Sequence, residues 1–366
     1  MIPPRGALRS IVDSVMCHDN GGPAILRVVC SPTTPEDCHG PHNRMLHPSL
    51  SIIGLGEIAV CDNADGPRPY GQGILGFQEL GLTSGSGKGR TMRAPSGFQL
   101  SGSAPELYER YIVSTLTAAL AQDLVTLVAL TPGEQILDVA CGTGTVTRQA
   151  AQAVGPSGQV MGLDVNAGML RVARTLSPPE NTTMTYREGS ALALPFPEAT
   201  FDVVLCQHGL EFFPDRGHSI QEMGRVLRPE GRVGLRVWCA LEHQAFHRTV
   251  LAALDWHLWG GQEVPSRTDF VQPFSFGDAE HLQAVVREAG FRDIDVRVST
   301  TPLRLGANAT DLLGYLSALP VGSTIAAMDD TGRRAMLQEV MTALHPFVEA
   351  DTFVIPAASH VVLARR

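Results

Sequence analysis

The run Ile136-Leu137-Asp138-Val139-Ala140-Cys141-Gly142-Thr143-Gly144 constrains this chain more than any other stretch. Apolar residues interrupted by an acid, then a small glycine-rich turn, read as a buried parallel strand ending in a loop that passes close to a ligand. Gly142 and Gly144 supply backbone freedom, and their missing side chains let main-chain N–H groups approach a bound molecule. Twenty residues beyond Gly144, the strand-like run Gln159-Val160-Met161-Gly162-Leu163 ends in a second acid, Asp164. A doubly wound fold uses an acid at that tip to hold the two hydroxyls of a ribose. The pattern implies a nucleoside-containing cofactor.

Two cofactor classes compete for that pattern. A dinucleotide site wants G-x-G-x-x-G, with the pyrophosphate on the helix N-terminus; here Thr147 stands at the third glycine. The carboxylate of Asp138 at the strand end suits a cofactor carrying an amino group and a sulfonium better than one carrying two phosphates. The run resembles motif I of the class I S-adenosylmethionine (SAM) methyltransferases. From about Ala104 to Trp238 the chain is similar to one branch of them, the ubiquinone/menaquinone-biosynthesis C-methyltransferases and their small-molecule relatives. Further motifs follow in order: Asp164-Val165-Asn166 with Met169-Leu170, then Gly189 to Phe196 as an adenine loop. Next come Phe201 to Cys206 as a fourth strand with Gln207-His208-Gly209-Leu210 after it, Glu222 to Pro229 as the next helix and its exit, and Gly231 to Trp238 as a fifth strand.

The resemblance implies SAM as cofactor and a set of site residues: Asp138, Ala140, Gly142, Thr143 and Gly144 in the first turn, Asp164, Val165 and Met169 at the second strand, Ser190 and Ala191 at the adenine, and Gln207 beside the methionine. Thr143 and Gly144 line the methionine part, and Asp164 binds the ribose. Two positions depart from the pattern. Ser190 stands where many relatives have an acid or amide, which implies a weaker or water-mediated contact to the adenine amino group. Ala140 replaces the first glycine, as the quinone branch tolerates. Taken singly, Asp138 also reads as a cap of the next helix and Asp164 as a capping partner of Asn166; five motifs in register outweigh those readings.

Composition narrows the partners. A net charge of −9 disfavours a nucleic-acid backbone, and Lys88 is the only lysine among 28 basic residues, as GC-rich coding produces. No unbroken run of 18 apolar residues marks a membrane span, and residues 1–30 lack the basic start and apolar core of a signal peptide. Seven cysteines fit a reducing, cytoplasmic compartment. The partner expected is a small-molecule acceptor.

Residues 1–94 are of another character: 14 Gly, 9 Pro and 7 Ser make 30 of 94 residues turn formers or flexible ones, beside eight acids and eight bases. That exceeds the roughly 25–30% level of low-complexity sequence, so this segment is expected to be a disordered extension or an artefact of start-site choice, Met92 lying just before the recognisable domain. Cys17, Cys30, Cys38 and Cys61 lack the close pairing of structural zinc ligands. Gly85-Ser86-Gly87-Lys88-Gly89 fails as a P-loop, with Leu82 and Gly89 at positions that need Gly and Ser or Thr.

Residues 95–366 read as an α/β domain with a doubly wound, seven-stranded, mostly parallel sheet of the Rossmann-like methyltransferase kind. A capping box at Ser103-Ala104-Pro105-Glu106 opens a helix carrying Leu107, Tyr108, Tyr111 and Ile112. A second helix is expected over 117–130. Beyond the fifth strand, helices are expected over 242–259, 278–289, 308–319 and 330–349, with a loop to Phe276 and strands at 291–299 and 353–363. Helical cap insertions at about 240–276 and 302–350 would then cover the ligand edge of the sheet.

The activity implied is methyl transfer from SAM to a small, partly hydrophobic acceptor, by O- or C-methylation. An enol or phenol acceptor calls for a base of near-neutral pKa; His208 is the first candidate, His243 the second and Glu211 the third. The rivals are a non-catalytic SAM-binding protein and an NAD(P)-dependent oxidoreductase.

Overall fold

The computed structural model describes residues 15–19, 22–26, 103–260, 262 and 265–366. Residues Met1–Gly87 form a unit of their own. In it Val15–Asp19 pairs antiparallel with Gly22–Leu26, Val15 opposite Leu26. A strand thus stands where the sequence shows only the apolar island around Ile25-Leu26. The rest of the expected low-complexity extension lies outside the described residues, as do the side chains of its four cysteines.

The second unit opens with helix α1, Ala104–Val128. The expected pair of helices is one continuous helix whose middle, Tyr108–Thr117, is wound as a π-helix. Ser114 and Thr115 there turn their hydroxyls back onto the carbonyls of Arg110 and Tyr111, both at 2.5 Å, a contact that competes with the regular ladder. The expected capping box does not form. Ser103 makes no side-chain cap bond: its backbone, at φ −88° and ψ 0°, lies outside the extended conformation of a capping residue. Glu106 faces Arg171 instead, at 3.8 Å. By length and hydropathy α1 matches a membrane span, which the search for unbroken apolar runs passed over; in this fold half of its most apolar stretch is buried.

The sheet is built from β1 (Gln135–Val139), β2 (Gln159–Asp164), β3 (Met184–Glu188), β4 (Phe201–Gln207), β5 (Leu227–Trp238), β6 (Arg292–Gly306) and β7 (Thr352–Arg365). Their order is β3-β2-β1-β4-β5-β7-β6, with the two-residue strand Val348–Glu349 paired to β7. The first five are parallel, and β7 runs antiparallel to both neighbours. Helices α2 (Thr145–Val154), α3 (Ala167–Thr175) and α4 (Arg216–Val226) form the crossovers. Asn166 caps α3, accepting from the N–H groups of Gly168 and Met169. Strand β1 stands between β2 and β4, so the chain reverses direction beside it. That is the switch point where open α/β sheets bind ligands, beyond the strand C-termini.

Helices α5 (Ala245–Leu254), α6 (Pro265–Val271), α8 (Ala309–Ser317), α9 (Gly322–Ala326) and α10 (Asp330–Leu344) make up the cap, while α7 (Ala279–Glu288) leads into β6. A helix, α6, replaces part of the expected loop to Phe276, and β6 continues to Gly306, beyond the expected end at Ser299. The extension has a clear use. Ser359 of β7 is the last residue opposite β5, at Trp238, whereas β7 from Thr352 to Ala358 pairs with Thr300–Gly306 and, at its start, with Val348–Glu349. The two strands project past the sheet as a ribbon, and Leu303, Leu305, Phe353 and Ile355 on it anchor the buried cluster of the cap with Phe246, Leu316 and Val340. The second insertion therefore begins after Gly306 rather than at 302.

One buried ion pair joins these parts. Arg236 of β5 is the largest fully buried side chain. Its guanidinium donates to Asp123 of α1 and, at 2.8 Å, to the Ser359 hydroxyl; Ser299 donates to the same Asp123 carboxylate at 2.7 Å. Removing one partner of such a pair leaves a bare buried charge. Asp123→Ala is expected to lower unfolding stability by about 3 kcal/mol in urea titrations. The double variant with Arg236→Met should lose less than the sum of the two single changes.

Candidate active site

At the C-terminal edge of β1 and β4 lies a cavity of about 380 Å³. The glycine turn, the β2 tip, the loop after β3, the exit of β4 and the inner face of α1 contribute to its wall. Ala140, Gly142 and Gly144 all adopt left-handed backbone, with φ of 57°, 55° and 83°, and the turn they form points the Gly142 N–H at Asp164. The Asp164 carboxylate accepts that N–H at 2.8 Å and the Asn166 N–H at 2.8 Å. Asp164 thus clamps the turn to the start of α3, and the helix cap itself is Asn166.

Asp138 does not cap α2. It is 1% exposed, and one of its oxygens accepts the Thr147 hydroxyl at 2.6 Å. The other has no partner. The residue that spoils a dinucleotide fingerprint therefore has a task of its own, to hold this acid. Gly162 makes room for it, since a Cβ there would fall 2.9 Å from the Thr147 hydroxyl and 2.7 Å from the Tyr186 ring.

Of the expected cofactor residues, Asp138, Ala140, Gly142, Thr143, Asp164, Val165, Met169, Ser190, Ala191 and Gln207 line the cavity. Gly144 does not. It stands behind the turn, where a side chain would collide with the Tyr186 hydroxyl. Ser190 is exposed, and its hydroxyl accepts the Leu192 N–H at 3.2 Å. His208 also lines the cavity, whereas His243 is exposed in a turn of the cap and is not among the lining residues.

Tyr108, which helical spacing places on the apolar face of α1, lines the cavity, and so does Thr117, which that spacing does not reveal. At 3.6 residues per turn, nine residues make two and a half turns and put these two on opposite faces. The wider i→i+5 winding of the π segment makes nine residues about two turns, so both face inward. Thr117 also receives the Gln207 side-chain amide on its carbonyl, at 3.2 Å. Phe212, Phe213 and Pro214 close the far end with apolar surface.

Two buried acids give the cavity its character. Burial pushes the Asp138 carboxyl up to about 7, the Thr147 hydroxyl opposing and the Asp164 charge adding to the effect. Burial likewise raises Asp164 above the usual carboxylate range. Unpaired buried polar atoms gather here: Asp138 Oδ1, Thr117 Oγ1, Thr143 Oγ1, Gln207 Oε1 and His208 Nε2. Groups left so are expected to find a partner in a ligand.

The raised Asp138 pKa carries a sign for stability. Because the folded value lies above the unfolded one, ionisation costs stability: the penalty is absent near pH 4 and complete above about pH 7. Asp138→Asn is therefore expected to raise the Tm of the ligand-free protein at pH 8 and to change it little near pH 4, in calorimetric melts at both values.

A family profile described as a methyltransferase domain matches residues 137–235, from the glycine turn to β5. A demethylmenaquinone methyltransferase of Symbiobacterium thermophilum is 32% identical over 188 residues, covering 46% of this chain and 72% of that protein. One from Staphylococcus carnosus is 30% identical over 198 residues, covering 50% and 76%. A ubiquinone/menaquinone biosynthesis C-methyltransferase of Hahella chejuensis is 42% identical over 103 residues, covering 28% and 41%. With the sheet order, the glycine turn and the two strand-tip acids already in place, these matches make the chain a member of the class I SAM-dependent methyltransferases, in the branch of the quinone-biosynthesis C-methyltransferases.

Proposed function

We propose that this SAM-dependent methyltransferase methylates an oxygen or carbon of a small, partly hydrophobic acceptor carrying an ionisable hydroxyl, with His208 as the proton acceptor. The observation that carries this reading is the chemistry of the cavity: unpaired buried polar atoms, a buried imidazole and the apolar rings of Phe212 and Phe213 line one space. The names of the curated relatives support the acceptor class, since those proteins act on quinone precursors.

The donor set fits the cofactor. Asp138 Oδ1 and Gln207 Oε1 are acceptors for its ammonium, and the Thr143 and Thr117 hydroxyls are free to bond its carboxylate. Asp164 already accepts two N–H groups, yet a carboxylate offers about four lone-pair sites, which leaves room for a ribose diol. Val165, Met169 and Ala191 give the adenine an apolar wall. Held by these residues, SAM would supply a transferable methyl group on a cationic sulfur, with the neutral thioether as leaving group. The chain's own residues hold the two partners in line, keep water out and take the acceptor proton.

His208 suits that last task. Burial lowers its pKa below the ordinary 6.5, against the opposing effect of Glu211, so it is neutral at pH 7 and open to a proton. Cys141, Cys206 and Cys239 are free, buried thiols, which suit a cytoplasmic setting.

Calorimetric titration of the full chain with SAM and with NADH tests the cofactor assignments. SAM is expected to bind and NADH not. Asp164→Ala should weaken SAM about 10- to 100-fold, the worth of a charged hydrogen bond, and Asp138→Asn should weaken it while stabilising the free protein. NADH binding, or SAM binding indifferent to both changes, would overturn the assignment. For His208→Gln, SAM affinity is expected to stay within a few-fold while methyl transfer to a hydroquinone or phenol panel falls about 100-fold or more.

A further inference from the structure

The residue after β4 is held from several sides. His208 itself has φ of 53°, in the left-handed region, and its N–H donates to the Arg236 carbonyl at 2.8 Å. Its ring stacks on Trp238, centroids 3.9 Å apart and planes 14° from parallel. Three residues on, Glu211 is the middle residue of a short 3₁₀ turn, Leu210–Phe212, and is wholly buried. One of its oxygens, Oε1, lies 3.2 Å from His208 Nδ1 and accepts the Trp238 backbone N–H at 3.0 Å. His208 Nε2 is buried with no partner.

We propose that Glu211 is a positioning residue: its carboxylate holds His208 in the Nδ1–H tautomer, so that Nε2 is the atom free to take a proton. A carboxylate oxygen offers no hydrogen of its own, so the ring can meet it only with N–H. The Trp238 N–H fixes the oxygen in place, and the stacked indole fixes the ring plane. Once Nε2 accepts the acceptor's proton, the imidazolium formed lies against this carboxylate, which stabilises the new charge. The proposal rests on the reading of His208 as the proton acceptor for its use in catalysis, but the tautomer itself can be observed without any acceptor.

Asp138, which shares the cavity with His208, titrates at about 7 in the unaltered protein and in both variants alike; the other ionisable groups that follow do not change charge near neutrality. His247 of α5 is pushed down to about 3 by burial, with His208 contributing. Burial pushes Tyr108 of α1 up to about 12 and the Cys206 thiol of β4 well up. Arg236 of β5 is a standing cation, its charge disfavouring imidazolium. Glu211 is the group that opposes it.

Nitrogen-resolved NMR of the full chain with ¹⁵N-labelled histidine, in the presence of SAM, tests this. In the unaltered protein His208 should show a protonated Nδ1 and a bare Nε2. Glu211→Ala should shift a major share of the signal to the Nε2–H form. Glu211→Gln keeps an oxygen for the Nδ1–H and the Trp238 N–H, so the tautomer should persist. The carboxylate charge is gone, however, so the His208 titration midpoint should move to lower pH. A brace without this role would leave tautomer and midpoint where they were. A protonated Nε2 in the unaltered protein, or an unmoved midpoint in Glu211→Gln, overturns the proposal; the isosteric variant covers the case in which Glu211→Ala fails to fold.

Discussion

Two carboxylates in one cavity set the terms for what surrounds them. Asp138 and Asp164 stand at the tips of neighbouring strands, both buried, and the Asp164 charge raises the cost of ionising Asp138. Each is held by donors that the local fold must supply: a threonine hydroxyl for one, two backbone N–H groups for the other. Presenting the Gly142 N–H to Asp164 is what forces the turn through left-handed backbone. The repulsion also selects the ligand. A cationic group relieves it, whereas the phosphates of a dinucleotide would add two more negative charges to the same space.

The cap depends on a different device, the ribbon of β6 and β7 that runs past the sheet. It carries the buried face on which the cap helices pack. The cavity is thus walled by α1, the parallel strands and their loops, and the cap stands on an appended antiparallel platform. Trp238 joins the two: it ends β5, packs in the cap cluster, stacks on His208 and gives its N–H to Glu211.

What the sequence reveals follows the same division. Along β1, β2 and β4 the strand, its terminal polar residue and the loop are consecutive, so adjacent residues disclose Asp138, Asp164, Gln207 and His208 together. Thr117 stays hidden because a 3.6-residue period assigns it to the far side of α1, and only the π winding turns it inward. The full length of β6 is obscured for a related reason. Residues 300–306 contain Pro302 and Arg304, which spoil a strand pattern in isolation, yet they pair with β7 across a gap of some fifty residues. Glu211 was legible as an acid in the right place, but its role comes from the backbone of a strand about 27 residues away. Gly144 carries a demand that neighbouring residues do not disclose, since a side chain there would collide with Tyr186.

The exit of β4 and the turn after β1 are also coupled directly. Ala140 occupies left-handed backbone where a glycine would sit at ease, and its methyl group needs space. Gly209 provides it: a Cβ there would lie 2.5 Å from the Ala140 Cβ. The alanine in the cofactor turn and the glycine beside the histidine are thus two halves of one fit. Both flank residues held at positive φ, His208 on one side and Gly142 on the other, so neither loop relaxes without displacing its neighbour. The glycine turn and His208 are fixed relative to each other by the packing of the Ala140 methyl group on Gly209. That is the alignment an in-line transfer between cofactor and acceptor requires.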